Sequence, residues 1–242
     1  MKQIILEVDI KEGVFYPSLR NFGGVIDDIT DLHCKFRSGN VYGIIGECGS
    51  GGWALSYVLS GRDTCPQQKI YVNENGVSQK DLEELGWYAG DGIAKIGFFD
   101  KEKSILKQLQ YGLKKNNNPF SIDEIVQKFK LSQDRLSSKM SQLSWEKWRA
   151  SIAIGYAHGK KVYCFPWLNT AQVNDLILNT GFHIYLDILK EEGSIIIIPT
   201  DKKETLEFIA DEYIILNNPR HSISVSTKEL LAKYSHNKQN SK

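Results

Sequence analysis

Residues 43–61 read GIIGECGSGGWALSYVLSG. A short apolar run gives way to a glycine-rich turn. Then Trp53, Leu55, Tyr57, Val58 and Leu59 follow at spacings suited to a helix, with Gly61 as its stop. Strand, glycine turn and helix in this order are the sequence form of a phosphate-binding loop, GxxxxGK[ST]. There, backbone N–H groups at the helix start wrap phosphates, a lysine balances their charge and a hydroxyl holds magnesium. Gly46, Gly49 and Gly51 fall in register around Ser50, but Gly52 stands at the lysine position and Trp53 at the hydroxyl position. The backbone pattern is kept and the charged chemistry is gone. A plain strand-to-helix turn would read the same in isolation, because glycine punctuates such connections. The flanking sequence therefore has to decide between the two.

Upstream, QIILEVDI and DDITDLHCKF alternate apolar and polar residues as half-buried strands do, and NVYGII is a continuous apolar run. Two outer strands feeding a buried one are expected. Downstream, KIYVNENGV reads as a hairpin turning at Asn75-Gly76. From Ser104 to about Met140 the period becomes helical, with SILKQLQYGL and SIDEIVQKFKL on either side of a polar loop; Ser121 and Glu124 fit a capping box. WEKWRASIAIGYAHG predicts a helix, KVYCFPW a buried strand, and residues 173–193 one long helix ending at Gly193. SIIIIPT predicts another buried strand, and KETLEFIADEYIILNN a helix and then a strand. Helices alternating with short apolar strands argue for an α/β fold with a mostly parallel core sheet covered on both faces. The antiparallel strands would form an N-terminal β-subdomain, and residues of about 100–155 a helical insertion. The polar tail of about 235–242 is expected to fray.

The chain of 242 residues carries 30 Lys and Arg against 29 Asp and Glu, so no net positive field favours nucleic acid or anionic lipid. Cys34, Cys48, Cys65 and Cys164 show no metal-ligand spacing and read as reduced packing residues. His33, His158, His183 and His221 likewise show no ligand spacing. No metal site is expected. The longest aliphatic run, Ile195 to Ile198, is far too short to span a bilayer, and the first residues do not form a signal peptide. A cytoplasmic chain without direct membrane insertion is expected.

From Ile4 to Leu216 the sequence resembles the ATP-binding cassette subunit of an ABC transporter, with that family's motifs in order and degraded. Residues 46–53 resemble its Walker A loop. LEELGWYAGDG resembles the approach to the Q-loop, with Gly90 in place of the glutamine. LSWEKWRASIAIGYA resembles the LSGGQ signature and its helix: Leu143 and Ser144 survive, Trp145 replaces the paired glycines, Glu146 takes the glutamine place and Arg149 keeps its own. KKVYCFPWLNT resembles the Walker B strand, with Pro166 at the magnesium-binding aspartate and Trp167 at the glutamate that activates water. TAQVN resembles the D-loop, with Val173 and Asn174 substituted. In IIIIPTDKKETLEFIADEYIIL, Thr200 stands at the switch histidine while Asp201, Ala210 and Asp211 are retained.

The resemblance implies the P-loop NTPase-like ABC ATPase fold over residues 1–242 as one nucleotide-binding domain. It also implies a vestigial nucleotide site: neither a cation nor a proton finds a partner at Pro166 or Trp167. Tyr16 and Phe22 are the candidates for stacking on adenine. Trp53, Trp145 and Trp167 are expected to fill space that phosphate and magnesium occupy in active relatives. ATP and magnesium belong, on this reading, to an active ABC ATPase subunit paired with this chain, and transmembrane transporter subunits would hold both at the inner face of the membrane. Two alternatives remain: a soluble regulatory pseudo-ATPase that binds a protein partner, and a residual ATPase built on Glu47 or Asp91. The transported substrate is not encoded in this chain.

Overall fold

The computed structural model describes residues 3–15, 27–65, 67–93 and 102–216. Strand β1 (Ile5–Phe15) pairs antiparallel with β2 (Asp27–Arg37) and, on its other edge, with β4 (Gln68–Val72), which continues into β5 (Asn75–Gly76). A second sheet is parallel throughout. In it β6 (Gly86–Tyr88), β7 (Val162–Cys164), β8 (Ile195–Thr200), β3 (Val41–Ile45) and β9 (Glu212–Ile215) lie side by side in that order. The helices are α1 (Gly52–Leu59), α2 (Gln79–Leu85), α3 (Ile105–Lys115), α4 (Ile122–Lys128), α5 (Glu146–Ala157), α6 (Thr170–Thr180) and α7 (Phe182–Glu191).

The period-2 rule divides β8 between two cores. Ile195 and Ile197 join Leu55, Val58, Ile10 and Phe36 in the layer between the parallel and antiparallel sheets, with α1 inside it. Ile196 and Ile198 face the other way, onto Ile152, Ala153, Phe182 and Tyr185 of α5 and α7. Four consecutive isoleucines, all fully buried, are what a strand covered on both faces requires. Between β6 and β7 the chain makes α3, α4 and α5, and α4 opens with the Ser121–Glu124 capping box expected from sequence.

Three local expectations are corrected. The hairpin after Gln68 turns at Asn73 and Glu74, both at positive φ, and not at Asn75-Gly76, which pair with Val72 and Tyr71. Asn73 is held to β1 at this position: its Oδ1 accepts the Ile5 N–H at 2.9 Å, and its N–H donates to the Ile5 carbonyl at 2.9 Å. Residues 173–193 form no single helix. Gly181 adopts φ 67° and ψ 37°, ending α6 and starting α7, a left-handed conformation that favours glycine. After β8 the expected helix is only a 3-10 turn at Lys203–Leu206, since the chain must enter β9 at Glu212.

Candidate functional site

Strand β3 delivers the glycine-rich turn to the carboxyl edge of the parallel sheet, where open α/β sheets place their ligands. The ends of β7 and β8 arrive beside it. Gly46 donates its N–H to the Thr200 carbonyl at 3.0 Å, and the Trp167 indole N–H donates to the Gly46 carbonyl at 2.9 Å. Helix α1 is tied to the residue before Pro166 by the buried Ser56 hydroxyl, which donates to the Phe165 carbonyl at 2.6 Å.

The start of α1 is capped from a distance. Gly51, at φ 96°, occupies the N-cap position, and no local side chain caps the helix. Instead the carboxylate of Asp27, at the start of β2, accepts the Gly51 N–H at 2.8 Å and the Ala54 N–H at 2.7 Å. Asp27 is only 1% exposed. Burial raises its pKa, the nearby backbone N–H groups, Ala54 and Gly51 foremost, oppose that shift, and neighbouring Asp28 adds to it. Asp28 donates its N–H to the Gly49 carbonyl at 3.2 Å, fixing the loop against β2. Sequence reading missed Asp27 because strand alternation assigns residues to faces without marking a carboxylate on the buried one. The available signal was an aspartate pair opening an otherwise apolar-alternating strand upstream of a glycine loop.

The lysine position is closed. A Cβ on Gly52 would lie 2.9 Å from Pro199 Cβ and 3.1 Å from Trp167 Cδ1. The Trp53 and Trp167 rings lie 6.4 Å apart, and the Trp53 indole N–H donates to the Tyr88 hydroxyl at 2.8 Å. Both tryptophans thus stand at the loop. Trp145 does not join them: it is 46% exposed and lines a separate cavity of about 260 Å³ with Leu143, Ser144 and Asp175. Pro166 lines a larger cleft of about 880 Å³ with Trp53, Tyr88, Asp91 and Trp148. Gly90 borders that cleft at φ 89°, its N–H donating to the Ser151 hydroxyl at 2.9 Å, and a Cβ there would lie 2.9 Å from the Trp148 ring.

Thr200 is fully buried and its hydroxyl donates to Asp201 Oδ1 at 3.3 Å. Glu47 is exposed, and Asp91 pairs with Arg62 at 2.6 Å. Cys48 is exposed too, contrary to its reading as a packing residue, whereas Cys34, Cys65 and Cys164 are buried. Tyr16 and Phe22 lie outside the described residues. Among the described residues no group of His, Cys, Asp and Glu is arranged to hold a metal ion, and no helix is long and apolar enough to cross a membrane. A magnesium-bound nucleoside triphosphate does not fit the residues present. The Gly51 and Ala54 N–H groups are taken by Asp27, a Cβ at the lysine position would crowd Pro199 and Trp167, and Pro166 and Trp167 offer no oxygen to a cation.

The architecture recurs among solved structures. A putative ABC transporter ATP-binding protein of Pyrococcus furiosus superposes with a TM-score of 0.59 at 19% identity, over 88% of this chain and 97% of that one. A dimeric bacterial ABC transporter cassette superposes at 0.60 and 14% identity, over 87% and 94% of the two chains. The fold is that of an ABC ATPase. In sequence, the chain is similar to ABC transporter ATP-binding subunits. It is 26% identical to an uncharacterised ABC transporter ATP-binding protein of Methanocaldococcus jannaschii, over 86% of this chain and 75% of that protein. It is 23% identical to a methionine import ATP-binding protein of Streptococcus agalactiae over 90% of this chain, which spans 63% of that relative's length. No protein-family model matches the chain.

Proposed function

We propose that this chain is a non-hydrolytic cassette subunit of an ABC transporter, pairing with an active cassette and coupling to membrane-spanning subunits from the cytoplasmic side. One observation carries the reading: the space for phosphate and cation is filled from within the chain. Pro199 and Trp167 stand against Gly52, and Trp167 is hydrogen-bonded to the first glycine of the turn. Phosphoryl transfer depends almost wholly on positioning and charge stabilisation, and a general base alone contributes about 10²–10⁴ in rate. A chain with a proline and a tryptophan at those positions supplies neither.

Pairing with an intact cassette follows from the head-to-tail dimer of the family, in which each nucleotide lies between one subunit's Walker A loop and the other's signature. Two copies of this chain would close both sites, whereas a partner with intact loops retains its own. The test is affinity isolation of the full chain from its native cells after detergent solubilisation, with mass spectrometry of what accompanies it. An intact cassette together with multispanning subunits is the expected result. A soluble partner alone would replace this reading with that of a regulatory pseudo-ATPase.

A further inference from the structure

The turn before α1 is more than a phosphate loop without its lysine. Two of the backbone donors at the start of the helix are already engaged. Two N–H groups, of Gly51 and Ala54, take one oxygen each of the same carboxylate at 2.8 and 2.7 Å. The acceptor comes from a strand 24 residues away in sequence from Gly51 and is almost fully buried. An ordinary N-cap side chain sits two or three residues before the donors it serves. Here the capping group arrives from another sheet, in the manner of a bound anion. The titratable groups whose fields meet Asp27 are Asp28 and the Cys48 thiol, so the backbone N–H groups are its principal stabilising partners.

We propose that Asp27 is the loop's own anion, a tethered carboxylate that occupies the backbone cradle and shuts it to external phosphate groups. This rests on the cassette reading above and adds a cause to it: the loop is closed by a group the chain supplies, not only by the loss of lysine. A tethered group needs no translational entropy to bind. An external phosphate binds only during the fraction of time the carboxylate is away, and its apparent affinity falls by that fraction. Charge-assisted hydrogen bonds of this kind make the occupied state dominant.

The experiment uses isotopically labelled full chain and inorganic tripolyphosphate without metal, read at the amide signals of Gly51, Trp53 and Ala54. In the unmodified protein these signals are expected to stay in place through the titration. In Asp27→Ala they should move saturably, with apparent affinity at least about tenfold above that of the unmodified chain. Glu47→Gln removes a nearby exposed charge without vacating the cradle, and should behave like the unmodified protein. If Asp27→Ala does not fold, Asp27→Asn carries the same titration, since it keeps the shape and removes the charge. The Gly51 and Ala54 amide signals of the unmodified chain should also follow the acid titration of the Asp27 carboxyl. Amides indifferent to that titration, a folded Asp27 variant no more responsive than the unmodified chain, or an equal gain in Glu47→Gln would each overturn the proposal. A parallel titration with Mg-ATP separates it from the cassette reading. Binding by the unmodified chain with movement of these amides overturns both; no ATP binding, with no gain in the Asp27 variant, overturns the tethered anion alone.

Discussion

Replacing Gly52 by alanine asks whether the lysine position is really closed. The added Cβ would meet Pro199 Cβ at 2.9 Å and Trp167 Cδ1 at 3.1 Å, both closer than ordinary carbon contacts. Overpacking of this kind costs about 1–3 kcal/mol. Alanine recovers part of that, at most about 1 kcal/mol, because it favours helix over glycine, and less at the first helical residue. The expected net loss is about 1–2 kcal/mol. Urea unfolding of the full chain should show it as a lower midpoint with an unchanged slope. Combining Gly52→Ala with Trp167→Ala removes one of the two close contacts, so the double variant should be more stable than the sum of the single changes implies, by about 0.5–1 kcal/mol. Gly52→Lys, whose side chain begins with the same Cβ, should lose stability without gaining ATP affinity. An alanine variant as stable as the parent, with additive behaviour in the double variant, would mean that the gap is roomy and that space is not what excludes lysine.

Two further outcomes follow from other parts of the fold. His158 is buried where α5 meets α3, its Nε2 donating to the Gln108 carbonyl at 3.2 Å, and burial lowers its pKa from 6.5 to about 4. As pH falls, the unfolded chain takes up the proton first, so stability is lost between pH 6.5 and about 4, by at most about 3 kcal/mol; His158→Gln should flatten that limb of a pH series of urea midpoints, and an unchanged limb would remove His158 as its cause. Gly181→Ala forces an L side chain into φ 67° but meets only Ile184 Cδ1 at 3.5 Å, so the cost is backbone strain of about 1–2 kcal/mol and no clash; a thermal midpoint equal to the parent's would contradict it.

The parallel sheet was legible because its strands are short apolar runs between helical periods, and β8 declares itself by four isoleucines. Helix α4 was legible because a capping box is a local device, complete within residues 121–124. What escaped the sequence depended on contacts from afar. Asn75-Gly76 carries the stronger turn signal, yet the hold of Asn73 on β1 puts the turn two residues earlier. The break at Gly181 was hidden because α6 and α7 both bury apolar faces, so the helical period continues across the glycine. At the candidate site the missing lysine and carboxylates were readable as substitutions. The closing of the turn by Asp27 was not, since it joins two sheets through a residue that strand alternation treats as any other.

The most direct measurement is calorimetric titration of the purified full chain with ATP in the presence of magnesium. A turn filled by Asp27, Trp167 and Pro199 predicts no saturable heat at millimolar nucleotide. Magnesium-dependent binding at micromolar concentration would contradict it, because it requires the cradle to release Asp27 and the lysine position to do without its lysine.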